Sequence, residues 1–493
     1  MIKLELAKNG KGADARVVLA AGKSLLLDGT WVKAAEGKAL ATWWAAQGAG
    51  KVGRVVWASC GGLEGPVLVV DVGAAGAADA QSWFRSWGCV GKALARAKGV
   101  KKVAILLPDG LWAEWPDWAA RTAAAGTLFG AYRWTGGKSK PAAKGEGPEV
   151  VWAGAGAADK NVQSALARGA EEGFVQCAFR DLANIPAQRL GPEELAAFAK
   201  ELAEKEGLEF REWDEAALEE AGCGGILGVA QGSARPPRLL RVAWPGTGAG
   251  RTRKPIALVG KGVMFDSGGI CLKPAKGMEW MQYDKCGAMA VLCAVAMCAR
   301  LGVEQPVVAW VPCADNMPSG SALRPGDIVT MADGQTVQVV NTDAEGRMLL
   351  ADALAMAARE EPEAIVDVAT LTGAVIIALG HEAAAVMGSD EDLVEDLFDA
   401  GAAVGERLWE LPLWKEYGEP FESPFADCKN MGDRTAGTIE AAAFLQRFVP
   451  AGQAWAHIDI AGTAWWEDEK AFAAPGATLA AARLLCRLVE NWE

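Results

Sequence analysis

The sequence predicts an α/β protein of two domains: a smaller N-terminal α/β domain, then a larger C-terminal α/β domain with a mainly parallel central sheet and helices on both faces. The chain of 493 residues is long for one domain. Short β-rich runs alternate along it with Ala-rich helical stretches. Residues 1–160 hold 21 Lys and Arg against 13 Asp and Glu, whereas the remainder holds 28 against 49. This charge asymmetry indicates two modules.

Residues 1–160 are the predicted N-terminal domain. Its β-rich runs are Arg54–Trp57, Val67–Val72 and Lys102–Leu107, and a segment rich in Gly, Pro and Lys at 135–149 predicts a loop. Helical sequence follows and predicts a linking helix over residues 161–182. The second domain therefore covers residues 183–493.

The second domain opens with a helix whose two ends are marked in the sequence. Pro192 stands at its start, one face is apolar, and Gly207 follows its end. Strand-like and helical runs then alternate, which predicts a largely parallel sheet. These runs are Leu239–Trp244, Ile256–Gly260, helix 287–301, Pro306–Val311, Thr336–Val340, helix 347–359 and Ala364–Thr370. In such sheets, sites form beyond the carboxyl ends of the strands.

Composition restricts the class of protein. No run approaches the roughly 18 uninterrupted apolar residues that predict a membrane span, and the N-terminal sequence MIKLELAKNG lacks the pattern of a secretory signal. Eleven cysteines without a Cys-x-x-Cys pair indicate reduced thiols in the cytoplasm. Because His381 and His457 are the only histidines, a His-rich metal site is excluded and a Ser-His-Asp triad is disfavoured. Any metal must be held mainly by oxygen ligands.

Three segments beside predicted strands and helices carry the candidate chemistry. They are VGKGVMFDSGGICLKP at 259–274, MQYDKCGA at 281–288 and NTDAEGR at 341–347. Taken alone, the first is better read as an ordinary loop and the third as an ordinary turn. Together they bring four carboxylates to one crevice, which would repel each other unless cations joined them. Two divalent cations such as Mg²⁺, Mn²⁺ or Zn²⁺ would suit these oxygen ligands. The residues expected in the crevice are Lys261, Asp266, Lys273, Asp284, Asp343, Glu345 and Arg347.

These segments closely resemble the leucyl aminopeptidase family, the cytosolic M17 metallopeptidases. NTDAEGR matches the family signature, and VGKG, FDSGG, the following Lys, YD and GA match its spacing. The resemblance extends through RDLANIPAQRLGPEEL (180–195), DNMPSGSALRPGDIV (315–329), DVATLTGA (367–374), FADCKNMGDRTAGTIEAAAFL (425–445) and WAHIDIAGTAW (455–465). About 310 residues are covered, whereas residues 1–160 match only as a variable N-terminal domain. The resemblance implies a leucyl aminopeptidase, a dinuclear metallo-exopeptidase that removes N-terminal residues.

The resemblance also implies metal ligands. Asp266 and Glu345 would bridge two metal ions, Lys261 and Asp284 would complete the tighter site, and Asp343 would complete the exchangeable one. The ions would be Mn²⁺ or Zn²⁺, with Mg²⁺ left open for the exchangeable site. In such centres two ions share and acidify a water molecule, here the implied nucleophile.

Catalytic and substrate-binding roles follow from the same resemblance. Lys273 would stabilise the oxyanion, and Arg347, at a helix N-terminus, would hold a bicarbonate ion as general base. Asp284 would also bind the free amine of the peptide. An apolar pocket for leucine-like side chains would be lined by Met281, Thr370, Leu371, Gly373, Ala461 and Ala464. The implied assembly is a cytoplasmic homohexamer.

Some residues depart from the family pattern or suggest other functions. Lys285 stands where methionine is more usual, and we expect it to point outward rather than to tune the site. Cys286 is expected to be a buried thiol, and both histidines are expected to be structural. The N-terminal domain, with Lys138, Lys140 and Lys144, leaves nucleic-acid binding open as an added activity, although the acidic remainder opposes it. A two-metal phosphoesterase is a further alternative, disfavoured because histidine ligands are lacking.

Overall fold

A computed structural model describes most of the chain. The described residues are 3–6, 12–21, 23–26, 34–47, 52–59, 61, 63, 65–73, 79–107, 118–139, 147–154, 158–433 and 435–492. They form two compact units, one of residues 1–178 with 402–405 and 467–475, the other of residues 179–401, 406–466 and 476–493. Lys140 and Lys144, named above for a basic surface, lie outside the described residues.

The first unit contains a mostly parallel sheet. Its described strands are β1 (Lys3–Leu6), β2 (Ala15–Ala21), β3 (Ser24–Leu26), β4 (Val55–Trp57), β5 (Val67–Asp71), β6 (Lys102–Leu106) and β7 (Glu149–Ala153). They adopt the order β1-β7-β6-β2-β5-β4, in which β4 is antiparallel to β5 and β3 is antiparallel to β2. The helices of this part are α1 (Ala34–Ala46), α2 (Ala80–Arg96), α3 (Trp118–Ala131) and α4 (Lys160–Ala183). The three predicted β-rich runs correspond to β4, β5 and β6, each one residue shorter than expected.

Several of the described tryptophans of the first unit belong to its core. Trp83, Trp87 and Trp152 are fully buried or nearly so, and their rings contact one another at centroid distances of 5.8 and 5.0 Å. Edge-to-face and tilted contacts of this kind stabilise cores beyond the area that they bury. These three rings are thus core residues and not a stacking surface.

The second unit is built on a larger mixed sheet. Its strands within the described residues are β8 (Glu209–Trp213), β9 (Arg238–Trp244), β10 (Ile256–Gly260), β11 (Gly262–Asp266), β12 (Val307–Asn316), β15 (Ile365–Ala369), β16 (Ala384–Gly388), β17 (Leu408–Glu410) and β19 (Trp455–Asp459). They adopt the order β17-β16-β19-β15-β10-β12-β9-β8, and β11 pairs with β12. Neighbours from β19 to β12 are parallel, whereas β16, β9 and β8 introduce antiparallel pairs. The prediction of a mostly parallel sheet with helices is confirmed.

Helices and short strands complete this unit. The helices are α5 (Pro192–Glu206), α6 (Glu215–Ala221), α7 (Gly224–Ala230), α8 (Cys286–Leu301), α9 (Glu345–Ala358), α10 (Gly373–Leu379), α11 (Glu391–Val404), α12 (Gly437–Gln446) and α13 (Ala482–Asn491). Within the described residues of this unit, 3-10 helices span Gly248–Thr252, Met278–Tyr283 and Lys415–Phe421. The small strands are β13 (Ile328–Thr330), β14 (Thr336–Gln338), β18 (Cys428–Lys429), β20 (Trp465–Trp466) and β21 (Gly476–Ala477).

One predicted strand lies in a different sheet from the one expected. The run Thr336–Val340 was expected in the parallel sheet, but β14 pairs with β13 and β18 in a separate small sheet. Its side chains are only partly buried apart from Val337. Alternation of helix and strand along a chain cannot distinguish a short accessory strand from a central one, because both have the same local pattern.

Two helices position the candidate site over the central strands. Helix α8 is almost wholly buried, and it packs on β10, β12 and β15. Helix α9 packs on the same strands and against α7 and α12. Its Leu349 and Leu350 join alternate strand residues Ala257 and Val259 in one apolar core. Both helices begin near the carboxyl ends of these strands, so their first turns face the crevice predicted there. Within the described residues, no helix is long and apolar enough to cross a membrane.

Candidate metal centre and active site

Two of the candidate residues lie at the ends of β10 and β11, consecutive strands that both pair with β12. Lys261 separates β10 from β11, and Asp266 is the last residue of β11. The register shifts between Val263 and Asp266, so β11 is irregular where it reaches the site. Both side chains are 3 % exposed. Polar groups buried this deeply must be paired with each other or with ligands.

The other acidic residues come from helix starts. Asp284 follows the 3-10 helix Met278–Tyr283 and precedes α8. Glu345 and Arg347 lie in the first turn of α9, just after Asp343. Asp284, Glu345 and Arg347 are buried, whereas Asp343 is half-buried. A carboxylate in the first turn of a helix is favoured by the helix dipole and the free N–H groups there.

Lys261 is the centre of one set of contacts. Its Nζ lies 2.8 Å from Asp284 Oδ1 and Oδ2 and 2.9 Å from Glu345 Oε1. It also donates a hydrogen bond of 3.0 Å to the carbonyl oxygen of Thr370, and Thr370 Oγ1 donates to Asp284 Oδ1 at 2.7 Å. Segments at the ends of β10 and β15 and at the starts of α8 and α9 therefore meet at one nitrogen atom.

Lys273 is the centre of a second set. Its Nζ lies 2.7 Å from Asp266 Oδ2 and forms an ion pair with Asp343 Oδ1. Asp266 Oδ1 accepts hydrogen bonds from Gly268 N and from Asn316 Nδ2. Lys273 is one-fifth exposed, so this set lies closer to solvent than the set around Lys261.

The electrostatics show a shortage of positive charge. Four carboxylates, Asp266, Asp284, Asp343 and Glu345, contact only two lysines, Lys261 and Lys273, in these two sets. Burial, together with the charge of Glu345, raises the pKa of Asp266 to about 6. Burial also raises the pKa of Asp284 well above its usual value. Two carboxyl groups are thus poorly stabilised as anions by the protein alone.

For Glu345 and Lys261, in contrast, the surrounding charges favour the ionised form of the side chain. Burial would raise the pKa of Glu345, but the cations Lys261 and Lys273 hold it below its usual value. Burial would lower the pKa of Lys261, but the carboxylates of Asp284, Glu345 and Asp266 raise it. A lysine nitrogen can bind a metal only after losing its proton, and nearby dications would supply the opposing charge that favours this loss.

The donor set fits divalent cations. Asp266, Asp343 and Glu345 each offer a carboxylate oxygen, and these oxygens lie within 4.8 Å of one another. Hard carboxylate oxygens are ligands for Mg²⁺ and Mn²⁺, and Zn²⁺ accepts both oxygen and nitrogen. The surplus of two negative charges over the contacting lysines would be removed by such cations.

Arg347 is buried beside two aromatic rings. Its guanidinium carbon is 5.9 Å from the ring centroid of Phe421 and 5.8 Å from that of Phe444. Its Nη1 donates to the carbonyl oxygen of Asn430 at 3.0 Å, whereas its Nε is buried without a hydrogen-bond partner among the described residues. Burial lowers the pKa of Arg347 to about 10. An N–H left unpaired in such a place is a donor for a bound anion.

Two family models match the chain. The model of the catalytic domain of the cytosol aminopeptidase family, M17, matches residues 177–486, and the model of its N-terminal domain matches residues 34–141. The chain belongs to the cytosol aminopeptidase family. The family resemblance predicted from the motifs is therefore confirmed, and with it the general activity of a metal-dependent aminopeptidase.

Curated relatives agree with this assignment. The chain is 43% identical over 481 residues to a probable cytosol aminopeptidase of Streptomyces griseus subsp. griseus, covering 93% of this chain and 91% of that one. It is 45% identical over 386 residues to a probable cytosol aminopeptidase of Chlorobaculum tepidum, covering 76% of each. Among solved structures, the bottromycin maturation enzyme BotP in complex with Mn is similar, with a TM-score of 0.84 and 34% identity over 97% of this chain and 99% of that chain.

The residues predicted to bind substrate in this aminopeptidase come from three segments of the chain. In one of them, Thr370 contacts the carboxylate of Asp284 directly. The segments hold Met281 and Asp284, then Thr370, Leu371 and Gly373, and lastly Ala461 and Ala464. Asp459 joins the second segment to the third, because its Oδ1 accepts hydrogen bonds from the N–H groups of Leu371 and Ala461, both at 3.1 Å. Met281 is half-buried and Gly373 is exposed, whereas Ala464 is fully buried.

The prediction that Lys285 points outward was wrong. Its side chain is fully buried, and its Nζ donates to the carbonyl oxygens of Ile185 and Gln282. Burial lowers the pKa of Lys285 to about 8. Its sequence position beside a predicted ligand gave no sign of these acceptors, because Ile185 is distant in the chain. The neighbouring Cys286 is a buried thiol at a helix start, as predicted, and burial raises its pKa to about 12.

Sequence reasoning missed several polar residues that hold the site together. Asn316 ends β12 and contacts two of the carboxylates. Thr342 joins the loop after β11 to the loop before α9. Asn430 accepts from Val340 N and Asn341 N and donates to Asn341 O. Asn316 and Asn430 lie in stretches that resemble the family, and this resemblance could have pointed to them. Asparagine alone is not distinctive enough as a residue type to suggest a role.

Proposed function

We propose that the chain is a leucyl aminopeptidase that uses two divalent cations to hydrolyse the first peptide bond of peptides with a free N-terminus. The observation that supports this most is the convergence of four carboxylates and two lysines in one largely buried cluster with too little positive charge. Such a cluster is complete only with cations.

Five of the six residues of the cluster have a proposed ligand role. Asp266 and Glu345 would hold both cations, Lys261 and Asp284 would complete the tighter site, and Asp343 would complete the exchangeable one. When bound, the two cations supply Lewis acidity and lower the pKa of a shared water molecule. Mn²⁺ or Zn²⁺ is proposed for the pair, with Mg²⁺ as an alternative in the exchangeable site. The manganese named for the similar enzyme BotP supports testing Mn²⁺ first.

The protein groups nearest the cluster would orient the peptide and stabilise charge. Asp284 would accept the free amine of the substrate, which restricts the reaction to N-terminal residues. Lys273, one-fifth exposed beside Asp266 and Asp343, would stabilise the negative charge that develops on the carbonyl oxygen. Arg347 would hold a bicarbonate ion, which would supply a general base, and its unpaired buried Nε supports this proposal.

The specificity and assembly proposals depend mainly on the family resemblance. Met281, Thr370, Leu371, Gly373, Ala461 and Ala464 would line a pocket that prefers leucine-like side chains. The apolar or small character of most of these residues supports that preference. A cytoplasmic location, in line with the names of the relatives, and a homohexamer are proposed with it. Native mass spectrometry would test the hexamer, since six chains of 51.6 kDa are well separated from smaller assemblies.

The activity is tested by hydrolysis of leucine p-nitroanilide. Metal-stripped protein should be inactive, and added Mn²⁺ or Zn²⁺ should restore cleavage. N-acetyl-leucine p-nitroanilide, the matched control, should remain uncleaved because it lacks the free amine. Cleavage of the acetylated substrate would contradict the exopeptidase proposal, and inactivity with every divalent metal would contradict the two-metal centre.

A further inference from the structure

Asn316 is held in a fixed position beside the carboxylate cluster. It is the last residue of β12, pairs in register with Asp266 of β11 and is 4 % exposed. Its main-chain carbonyl oxygen accepts from Ser267 N at 3.0 Å and from Ser267 Oγ at 2.6 Å. The backbone around its side chain is therefore tied both to β11 and to the loop that follows it.

The side-chain amide of Asn316 faces three oxygen atoms. Its Nδ2 donates to Asp266 Oδ1 at 2.8 Å and to the carbonyl oxygen of Thr342 at 3.0 Å, and it lies 3.5 Å from Glu345 Oε2. All three are acceptors, which assigns the nitrogen to this side. The opposite atom, Oδ1, approaches Gly269 closely, because a Cβ there would lie only 2.8 Å from it.

The two carboxylates reached by this amide are the two that would be shared by both cations. We propose that Asn316 is a positioning residue of the metal centre, whose amide orients Asp266 and Glu345 toward the cations and so sets metal affinity. This inference rests on the proposed function. Groups that hydrogen-bond to metal-binding carboxylates fix their orientation, and their loss commonly weakens metal binding 10- to 100-fold.

Thr342 provides a matched control for the loops around Asn316. Its Oγ1 donates to the carbonyl oxygen of Gly268 at 2.7 Å and accepts from Cys271 N at 2.8 Å. It therefore joins the same two loops, but through main-chain groups instead of the carboxylates. A purely structural role of this junction would make changes at Thr342 and at Asn316 equivalent.

The experiment measures Mn²⁺ binding to the metal-stripped full chain by calorimetry and by the electron paramagnetic resonance signal of free Mn²⁺. Asn316→Leu, similar in size but without the donor, should raise the Kd for Mn²⁺ about 10- to 100-fold. Thr342→Val should change it much less. Asn316→Ser, whose hydroxyl is too short to span both carboxylates, should also weaken binding, and it provides the test if the leucine variant fails to fold.

The outcomes separate this inference from the proposed function. A wild-type Kd retained in the folded Asn316 variants, or an equal loss in Thr342→Val, would overturn the role of the amide while leaving the metal centre intact. A wild-type protein that binds no Mn²⁺ would overturn the metal centre itself and the inference with it.

Discussion

Gly346 shows how a single small residue allows Lys261 to reach the cluster. A Cβ at Gly346 would lie 2.5 Å from Lys261 Cε and 2.7 Å from Lys261 Nζ. Glycine is unfavourable inside a helix by about 1 kcal/mol relative to alanine, so its presence in the first turn of α9 needs a reason. Close approach of the lysine to Glu345 at 2.9 Å is that reason.

Gly346→Ala should therefore reduce function more than stability. The added methyl group would displace the flexible end of Lys261 from Asp284 and Glu345, and displacement of a reacting group by about 1 Å can cost about 100-fold in rate. The measurements are kcat/KM for leucine p-nitroanilide and the midpoint of thermal unfolding. Gly320→Ala is the control, because a Cβ there would meet no atom within 4 Å. Wild-type activity in Gly346→Ala would contradict the steric argument.

Arg347 combines burial, two aromatic rings and an unpaired N–H. If it holds a bicarbonate ion, Arg347→Met should lower kcat by about 10²- to 10⁴-fold, the usual contribution of a general base, with a smaller change in KM. The wild-type rate should rise with added bicarbonate, and the variant rate should not. Equal stimulation of both proteins would show that bicarbonate acts elsewhere. Arg324→Met, at an exposed arginine paired with Asp327, serves as the control.

Helix α9 contributes Glu345 and Arg347 to the site, and Asp352 anchors the middle of this helix. Asp352 Oδ2 accepts from Ile226 N, and its Oδ1 accepts from Ala332 N, both at 2.8 Å. The residue is fully buried. Burial raises its pKa to about 7, although these N–H groups favour the anion. One side chain thus ties α9 to α7 and to the turn after β13.

Asp352→Asn should destabilise the second unit although it is nearly isosteric. An asparagine offers one acceptor oxygen, so one buried N–H would face an NH₂ group and lose its partner. An unsatisfied buried donor costs about 1–3 kcal/mol, which should appear as a lower urea midpoint of unfolding. Asp333→Asn, at an exposed turn, should leave the midpoint near the wild-type value. An unchanged midpoint for Asp352→Asn would contradict the anchoring role.

Metal binding should act at the scale of the whole molecule. Ligands that bind only the folded state stabilise it by about 2.7 kcal/mol at 100 times their Kd. Mn²⁺ should therefore raise the unfolding temperature of metal-stripped protein at pH 8, and a chelator should reverse the change. An unfolding temperature that does not respond to Mn²⁺, Zn²⁺ or Mg²⁺ would contradict the proposed centre.

This stabilisation should depend on pH. The pKa of Asp266 is raised to about 6 by burial and by Glu345, above the usual value for an unfolded chain. In metal-free protein, this group favours folding at low pH, and the contribution is lost as the pH rises through about 6. Metal binding requires the ionised carboxylate. The difference in unfolding temperature between loaded and metal-free protein should thus narrow as the pH falls from 8 to 5, and a constant difference would contradict this linkage.

The sequence by itself determined the elements and the chemical composition of the site. Periodicity and helix-end signals located α5, α8, α9 and the central strands to within a few residues, because these depend on local residue preferences. The three motifs supplied four carboxylates, two lysines and an arginine, and their resemblance to one family predicted the activity.

Only the tertiary structure decided which groups meet. It assigned β14 to a separate sheet, buried Lys285 against Ile185, and placed Asn316, Thr342 and Asn430 among the site loops. It also showed that the four carboxylates share only two contacting lysines, Lys261 and Lys273. These facts depend on contacts between residues far apart in the chain. A local sequence pattern carries little information about them, because pairing and burial are fixed only when the sheet and its helices pack together.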